Sequence, residues 1–176
     1  MPEWALSDIE LNPGDHVLDI GCGGGANINR ILTKFPECLV RGIDLSQDAL
    51  EFSTDVNYRA IKDGQCVIIG GNATQMPLAK DVFDLVIAFE TIYYWPSIET
   101  GFSEAFRVLK PKGKFIVANE YDGLGEECRE LELAVGGIRV YTIDEIKEAL
   151  VEAGFTNIQA QHDENRHFIA VSAIRP

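Results

Sequence analysis

The sequence of 176 residues contains no long apolar run: none approaches the roughly 20 consecutive apolar residues that a membrane helix needs. Basic residues are also scarce, because 28 acids stand against 15 bases and give a formal net charge of −13. Such a charge repels nucleic acid and anionic lipid. We therefore expect neither a nucleic acid nor a membrane as a partner. We expect no signal peptide before the first predicted strand.

Cysteine is present four times, but without any pattern typical of metal binding. The sequence has no C-x-x-C pair and no histidine at zinc-ligand spacing from a cysteine, so we expect no metal site. Free thiols are typical of a reducing compartment, which favours a cytoplasmic location. Hydrophobic residues make up 46% and charged residues 24%, as in ordinary globular proteins, and the length fits one domain.

Strand and helix patterns alternate from residue 16 to about 120. The apolar runs typical of buried strands are HVLDIG, LVRGIDL, CVIIG, FDLVIAFE and GKFIVANE. Apolar residues at helical spacing follow over 28–35, 49–56 and 102–109. Thr142 and Glu145 form a capping box before a last helix, and FTNIQAQ and HFIAVSAI then predict an antiparallel hairpin. The pattern predicts an α/β fold, a doubly wound parallel sheet with an antiparallel C-terminal hairpin strand.

The stretch VLDIGCGGGA, residues 17–26, predicts a sharp turn from a buried strand into a helix. Its glycines suit a backbone that touches a ligand closely. The loop also fits G-x-G-x-x-A, so a dinucleotide, a nucleoside or a tight turn without ligand all remain open at this point.

Polar residues beside three predicted strands narrow these alternatives. Asp19 lies close to the glycine loop, where a carboxylate disfavours phosphate and favours a cation such as a sulfonium or an α-ammonium group. Asp44 ends the second strand, where an acid binds ribose hydroxyls. Asn72 and Ala73 follow the third strand and could meet an adenine edge. Asp19 could instead cap a turn and Asn72 could serve its loop. Together these residues predict a pocket for a phosphate-free adenosine that carries a charged amino-acid tail.

The ordered series VLDIGCGGG, GIDLS, GNATQMPLAKDVFDLVIAFE and FRVLKPKGKFIVANE resembles the motifs of class I S-adenosylmethionine-dependent methyltransferases. Within that class it is most similar to the ubiquinone/menaquinone-biosynthesis-like group. The resemblance runs from about residue 4 to the C-terminus. It implies a Rossmann-like sheet, one methyltransferase domain over residues 1–176 and S-adenosyl-L-methionine as cofactor. The implied reaction is methyl transfer to a small-molecule acceptor by in-line displacement at the sulfonium methyl.

The resemblance also assigns cofactor-binding residues: Asp19, Gly21, Gly23, Gly25, Asp44, Leu45, Asn72, Ala73 and Phe89. The glycines would pass beneath the methionine part, with the acid of the first strand towards its amino end and Phe89 along its side. Asp44 would take both ribose hydroxyls, Leu45 would lie against the adenine, and the residues after the third strand would meet the adenine edge. The family more often has Asp where Asn72 stands, although an Asn oxygen can still accept from the adenine amino group.

Candidate residues for the acceptor side follow the fourth strand in ETIYYW, residues 90–95. Glu90 could orient or deprotonate the acceptor, and Tyr94, with Tyr93 and Trp95, could form an aromatic wall. The alternative is a packed aromatic cluster that caps the sheet.

Further candidates lie near the end of the sequence. Glu120 and Tyr121, which end the fifth strand, are a second choice for the acceptor side. We interpret His162 and His167, beside the terminal hairpin, as surface residues far from the site.

Two segments lie outside the alternating pattern of strands and helices, and their positions in the sequence suggest their roles. Residues 1–15 form a short N-terminal cover, in which Trp4, Leu6, Ile9 and Leu11 are apolar. Residues 121–141 are acidic, contain glycine and are only weakly periodic, which favours a lid or an insertion. Because the cover is short, the acceptor site is expected to be open, and an open site is compatible with a homodimer.

Two other functions compete with methyl transfer. The glycine loop allows a NAD-dependent oxidoreductase, although the predicted sheet uses the whole chain and leaves no separate catalytic domain. A nucleoside-binding protein without activity is the other alternative, because a short cover could leave an acceptor unenclosed.

Overall fold

The computed structural model describes residues 2–7 and 9–176, and in these residues seven strands form one mixed sheet. The strands are β1 (His16–Ile20), β2 (Leu39–Asp44), β3 (Cys66–Gly70), β4 (Phe83–Phe89), β5 (Leu109–Asn119), β6 (Thr156–Asp163) and β7 (Phe168–Ile174). The helices are α1 (Pro2–Ala5), α2 (Ala26–Lys34), α3 (Gln47–Val56), α4 (Tyr58–Lys62), α5 (Ile98–Val108), α6 (Glu126–Val135) and α7 (Ile143–Glu152).

The strand order is β3-β2-β1-β4-β5-β7-β6. Strands β1 to β5 pair in parallel, whereas β7 pairs antiparallel with both β5 and β6. This confirms the predicted doubly wound sheet with an antiparallel C-terminal hairpin. The order reverses between β1 and β4, so the chain leaves a crevice at the carboxyl ends of these two neighbouring strands.

Alternate residues of each central strand enter two apolar cores, one on each face of the sheet. Leu18 and Ile20 of β1 pack in the core that includes Phe102 of α5 and Ile146 of α7. Val17 packs in the other core, together with residues of α2 and of the N-terminal segment. Burial on both faces explains why these strands read as continuous apolar runs in the sequence.

The expected alternation of strand and helix fails between β3 and β4, where residues 71–82 form turns. This loop is held from α5: the guanidinium of Arg107 donates to the carbonyl of Leu78 at 2.7 Å, and Glu104 accepts from the backbone N of Met76 at 2.7 Å. The loop has no helical apolar stripe and contains Pro77, which removes a backbone donor. Polar contacts from a neighbouring helix therefore fix the loop in place of a helix of its own.

Helix α3 begins as predicted, because the Ser46 side chain accepts from the backbone N of Ala49 at 3.3 Å. The predicted apolar stripe is wrong in part: Phe52 is 68% exposed and Val56 is 51% exposed, whereas Ser53 is buried. A small residue faces inward because α3 approaches the glycine turn closely; a Cβ on Gly25 would lie 2.5 Å from the Ser53 hydroxyl.

The helix before β5 is shorter than its apolar pattern predicts. It ends at Val108, and Leu109 is already the first residue of β5. The proline at position 111 explains this, since residues before proline disfavour helical backbone.

The two flanking segments pack against the sheet and its edge. Leu6 and Ile9 are buried in the core beneath β1 and β4, and the Lys34 ammonium donates to the Leu6 carbonyl at 2.6 Å. The 121–141 segment contains α6, and its inward residues pack around Tyr93. In residues 2–7 and 9–176, no helix has the length and apolar character of a membrane span.

Candidate functional site

A cavity of about 360 Å³ lies at the carboxyl ends of β1, β2, β3 and β4. Its "glycine side" follows the first three strands and its "aromatic side" follows β4. The glycine side consists of Ile20, Gly21, Gly23, Ile43, Asp44, Leu45, Gly71, Asn72 and Ala73. The aromatic side consists of Glu90, Thr91, Tyr94, Trp95 and Pro96. Ile20, Ile43, Gly71 and Thr91 lie within motifs identified from the sequence but were not assigned a role there, and Pro96 directly follows one of these motifs.

The glycine turn requires residues without a Cβ atom. Gly21 has a φ of 70°, and a Cβ at this position would lie 1.9 Å from the Thr91 hydroxyl. The backbone N of Gly21 donates to the Ile43 carbonyl at 2.7 Å, which ties the turn to the end of β2. Gly25 has a φ of 77° and precedes α2, but it does not line the cavity. The turn is thus packed between β2 and the segment after β4, and Gly21 touches both.

Asp44 organises the backbone on the glycine side. One carboxylate oxygen accepts from the backbone N of Gly23 and the other from the backbone N of Ser46, both at 2.9 Å. The carboxylate therefore bridges the glycine turn and the start of α3. Leu45 follows with 76% of its surface exposed, so an apolar side chain stands open beside the cavity.

Asp19 lies behind the cavity wall and does not line it. It is completely buried, and neither carboxylate oxygen has a hydrogen-bond partner within the described residues. Burial, followed by repulsion from Asp44, raises its pKa to about 7. Phe89 is also buried behind the lining, in the core beneath the sheet face that carries α2.

Asn72 and Ala73 both line the cavity after β3. The side-chain oxygen of Asn72 accepts from the backbone N and from the hydroxyl of Thr74, each at 2.9 Å. This is the local turn that short polar side chains stabilise. The same oxygen that could accept from an adenine amino group therefore already supports the loop.

Glu90 is held in an unusual backbone conformation at the end of β4, with a φ of 56°. Its carboxylate accepts from the Tyr93 hydroxyl at 3.4 Å and, more closely, from the backbone N of Glu120 at the end of β5. Burial raises the pKa of Glu90 to about 7 in spite of these hydrogen bonds. A carboxyl group at the cavity wall can therefore change its protonation state near neutral pH.

The three aromatic residues after Glu90 have different surroundings. Tyr94 is 63% exposed and lines the cavity, whereas Tyr93 is only 5% exposed and lies behind it. Trp95 is also buried, and its ring nitrogen donates to the Thr91 hydroxyl at 3.3 Å. The sequence left open whether these residues form a wall or a packed cluster. Tyr94 and Trp95 line a cavity, whereas Tyr93 belongs to a packed cluster with Tyr121.

The terminal histidines are exposed and lie outside the cavity lining, as predicted, but they share a carboxylate partner that the sequence did not indicate. Nε2 of His162 and Nδ1 of His167 lie 3.1 Å and 2.9 Å from the same carboxylate oxygen of buried Asp122. Burial tends to raise the pKa of Asp122, but hydrogen bonds from His167, Leu124 and His162 outweigh it and lower the pKa. The hairpin turn reaches this position because β7 runs antiparallel to β5, which brings its start to the carboxyl end of β5.

The charges on the cavity wall are all negative. Asp44 and Glu90 are its acids, and the wall contains no Lys, Arg or His among the residues that the structure describes. Within the same described ranges, no group of three or more His, Cys, Asp or Glu residues is arranged to hold a metal ion. The wall thus offers oxygen acceptors, backbone groups and apolar surface.

Residues 18–117 match a family model described as a methyltransferase domain. The matched region begins in β1 and ends in β5, so it contains both sides of the cavity.

Two curated proteins illustrate the sequence similarity. The chain is 32% identical over 152 residues to 27-O-demethylrifamycin SV methyltransferase of Amycolatopsis mediterranei, covering 83% of this chain and 56% of that protein. It is 30% identical over 164 residues to sterol 24-C-methyltransferase of Candida albicans, covering 88% of this chain and 43% of that protein. The chain thus spans about half the length of these relatives.

The fold is shared with solved methyltransferase structures. Phosphoethanolamine N-methyltransferase 2 of Haemonchus contortus, in complex with S-adenosyl-L-methionine, superposes with a TM-score of 0.84 at 18% identity. The match covers 97% of this chain and 51% of the other. At this identity the likeness establishes the fold alone.

Proposed function

This chain belongs to the methyltransferase domain family, in the class I S-adenosylmethionine-dependent group, and we propose that it transfers a methyl group from that cofactor to a small-molecule acceptor. The observation that carries the proposal is the cavity at the strand-order reversal, with a glycine turn on one side and an ionisable carboxyl on the other. The family match supports S-adenosylmethionine as the cofactor.

The residues on the glycine side fit this cofactor. Gly21 and Gly23 leave backbone without side chains at the wall, and Asp44 presents a carboxylate that suits two ribose hydroxyls. A wall without cationic side chains suits a nucleoside that carries no phosphate. We propose that Leu45 covers the adenine and that Asn72 and Ala73 meet its edge. Asp19, Gly25 and Phe89 would support this binding from behind the wall.

When bound, the cofactor supplies a sulfonium methyl group, and its transfer leaves a neutral thioether. The chain's own residues then have two tasks: to hold the acceptor in line and to receive its proton. We propose that Tyr94 and Trp95 hold the acceptor and that Glu90 takes the proton as the acceptor attacks. Because the pKa of Glu90 is about 7, turnover should rise with pH through this region as the carboxyl ionises. Glu120 and Tyr121 would act indirectly, by supporting Glu90 and Tyr93.

The finer assignments are also proposals. The chain would act as a single domain over residues 1–176 of the ubiquinone/menaquinone-biosynthesis-like group, located in the cytoplasm. Residues 1–15 would be a short cover and residues 121–141 a lid. The relatives named for rifamycin and sterol substrates support a small-molecule acceptor. A homodimer is compatible with an acceptor site that this cover leaves open.

The first test is calorimetric titration with S-adenosylhomocysteine, with NADH titrated in parallel. We expect micromolar binding of S-adenosylhomocysteine and none of NADH. Asp44→Ala should weaken the binding by about 1.5–3 kcal/mol, since two charge-assisted hydrogen bonds to ribose are lost. Asp48→Ala, an exposed acid on α3, is the matched control and should change nothing. Binding of NADH alone would favour an oxidoreductase, and binding of neither ligand would remove the cavity as a nucleoside site.

A further inference from the structure

The wall of the cavity carries charge of one sign only. Its acids are Asp44 on the glycine side and Glu90 on the aromatic side, and no described residue of the wall can supply a positive charge. A phosphate or carboxylate group on the acceptor would therefore enter the field of Glu90 without a counter-charge from the residues of the wall. Anions are bound in proteins where cationic side chains or free backbone N–H groups meet them. The aromatic side has no cationic side chain, and Tyr94, Trp95 and Pro96 offer mainly apolar surface.

The segment next to the aromatic side adds negative charge. Residues 120–135 contain six acids and one arginine, Arg129. This segment lies behind the aromatic side, because Tyr121 packs on Tyr93, which is buried behind the cavity wall, with ring centroids 6.5 Å apart. Its acids add to the negative field around Glu90 and disfavour an anionic acceptor there.

The two other arginines near this edge are already paired. The Arg139 backbone N donates to the Tyr93 carbonyl at 3.0 Å, but its guanidinium binds Glu145 at 2.6 Å. Arg166 binds Asp163 at 2.8 Å through its Nε. Each guanidinium therefore has a carboxylate partner, and neither lines the cavity.

An exposed aromatic side chain accompanies the acids of the wall. Tyr94, which lines the cavity, is 63% exposed. Large apolar side chains that stay open to water at a cavity mouth are typical of binding sites for apolar ligands.

On the basis of the proposed methyl transfer, we infer that the acceptor is a neutral molecule with an apolar body, and that anionic acceptors such as phosphate esters are excluded. The neutral acceptor lies on Tyr94 and presents an O–H, N–H or C–H group to Glu90. Its heavy atom bonds to the methyl carbon as the carbon–sulfur bond breaks, the bonding electrons stay on sulfur, and the proton passes to the Glu90 carboxylate.

Two fluorescent probes of the same shape test this inference without knowledge of the acceptor. N-phenyl-1-naphthylamine is neutral, and 8-anilinonaphthalene-1-sulfonate is its sulfonated, anionic counterpart. Both are titrated into the full chain saturated with S-adenosylhomocysteine. We expect the Kd of the neutral probe to be at least tenfold lower than that of the anion. Equal or tighter binding of the anion, or no binding of the neutral probe, would overturn the inference.

Variants locate the binding and isolate the charge. Tyr94→Ala should raise the Kd of the neutral probe at least fivefold. Glu90→Gln should lower the Kd of the anion at least threefold and leave the neutral probe within twofold. Glu148→Gln, an exposed acid on α7, is the charge-matched control and should alter neither. An unchanged Kd of the neutral probe in Tyr94→Ala would count against the inference, because the probe would then bind an apolar surface outside the cavity wall.

The proposed function has its own readout in the same samples. If S-adenosylhomocysteine binds but the protein does not bind the neutral probe more tightly than the anionic probe, the methyltransferase proposal stands and only the acceptor class is wrong. If S-adenosylhomocysteine itself does not bind, the proposed function fails.

Discussion

The glycine side of the cavity is built from backbone turns, a carboxylate and aliphatic side chains, whereas the aromatic side carries the large rings of Tyr94 and Trp95. The turn of Gly21 and Gly23 is fixed by backbone hydrogen bonds and by the adjacent Asp44. Glu90 and Trp95, in contrast, depend on groups from β5 and from within the segment after β4. Both sides depend on contacts between distant strands, but the glycine side is recognisable from its residue types, whereas the role of each aromatic residue depends on how it packs.

The largest effect is expected where the two sides meet, at Gly21. Gly21→Ala places a Cβ 1.9 Å from the Thr91 hydroxyl at a φ of 70°, so backbone strain adds to steric overlap. We expect the free energy of unfolding in urea to fall by up to about 5 kcal/mol, the upper end of the sum of these two costs. Gly24→Ala is the matched control, because no atom lies within 4 Å of its added Cβ. Similar losses for both variants would show that the contact with Thr91 is unimportant.

A slightly smaller effect is expected beneath the glycine side, at Asp19. Its pKa is raised from 3.8 to about 7, so the buried protonated form stabilises the fold at low pH and this contribution is lost as pH rises to about 7. Asp19→Asn cannot ionise. Relative to the wild type it should gain about 4 kcal/mol of unfolding free energy between pH 4 and pH 8, at 1.36 kcal/mol per pKa unit. Parallel stability curves for the two proteins across this range would contradict the expectation.

On the aromatic side, Tyr93→Phe should have a modest effect on Glu90. The Tyr93 hydroxyl donates to the Glu90 carboxylate and lowers its pKa, so its removal should raise that pKa by a fraction of a unit, for a hydrogen bond worth about 1 kcal/mol. Infrared titration of the carboxyl band measures the shift. Tyr94→Phe, whose hydroxyl makes no hydrogen bond to Glu90 in the structure, should leave the band unchanged. Equal shifts in the two variants would remove Tyr93 as a positioning residue.

The smallest effect is expected at Asn72, on the glycine side. Asn72→Asp keeps one oxygen for the turn with Thr74 and adds a second acceptor for an adenine amino group. We expect S-adenosylhomocysteine to bind about threefold more tightly, or about 0.6 kcal/mol, a fraction of one hydrogen bond. Calorimetric titration measures this change, and an unchanged Kd would restrict Asn72 to a loop role.

The same contrast explains what the sequence could predict. The strands along the chain, the hairpin and most residues of the glycine side follow from sequence patterns: apolar runs, glycines after a strand and an acid at a strand end. The exposure of Phe52 and Val56 and the split among the three aromatic residues do not, because each depends on how closely two distant elements approach. The pairing of His162 and His167 with Asp122 was missed for the same reason, since only the antiparallel register of β7 brings them together.

The lack of a helix between β3 and β4 could also not be predicted. The loop over residues 71–82 has strand-like neighbours on both sides, and the usual expectation of a helix between parallel strands was wrong there. Arg107 and Glu104, which hold this loop, lie in α5 more than 20 residues further along the sequence. Their role becomes visible only when α5 packs on the sheet.

The backbone of Glu90 has a consequence for the evolution and engineering of this protein. A φ of 56° suits Gly and Asn better than Glu, so glutamate at this position carries a conformational cost of the order of 1 kcal/mol. A library screened only for thermal resistance should therefore enrich Gly and Asn at position 90 and discard the carboxyl group. Selection for stability would therefore favour Gly or Asn at position 90, whereas selection for turnover would favour Glu.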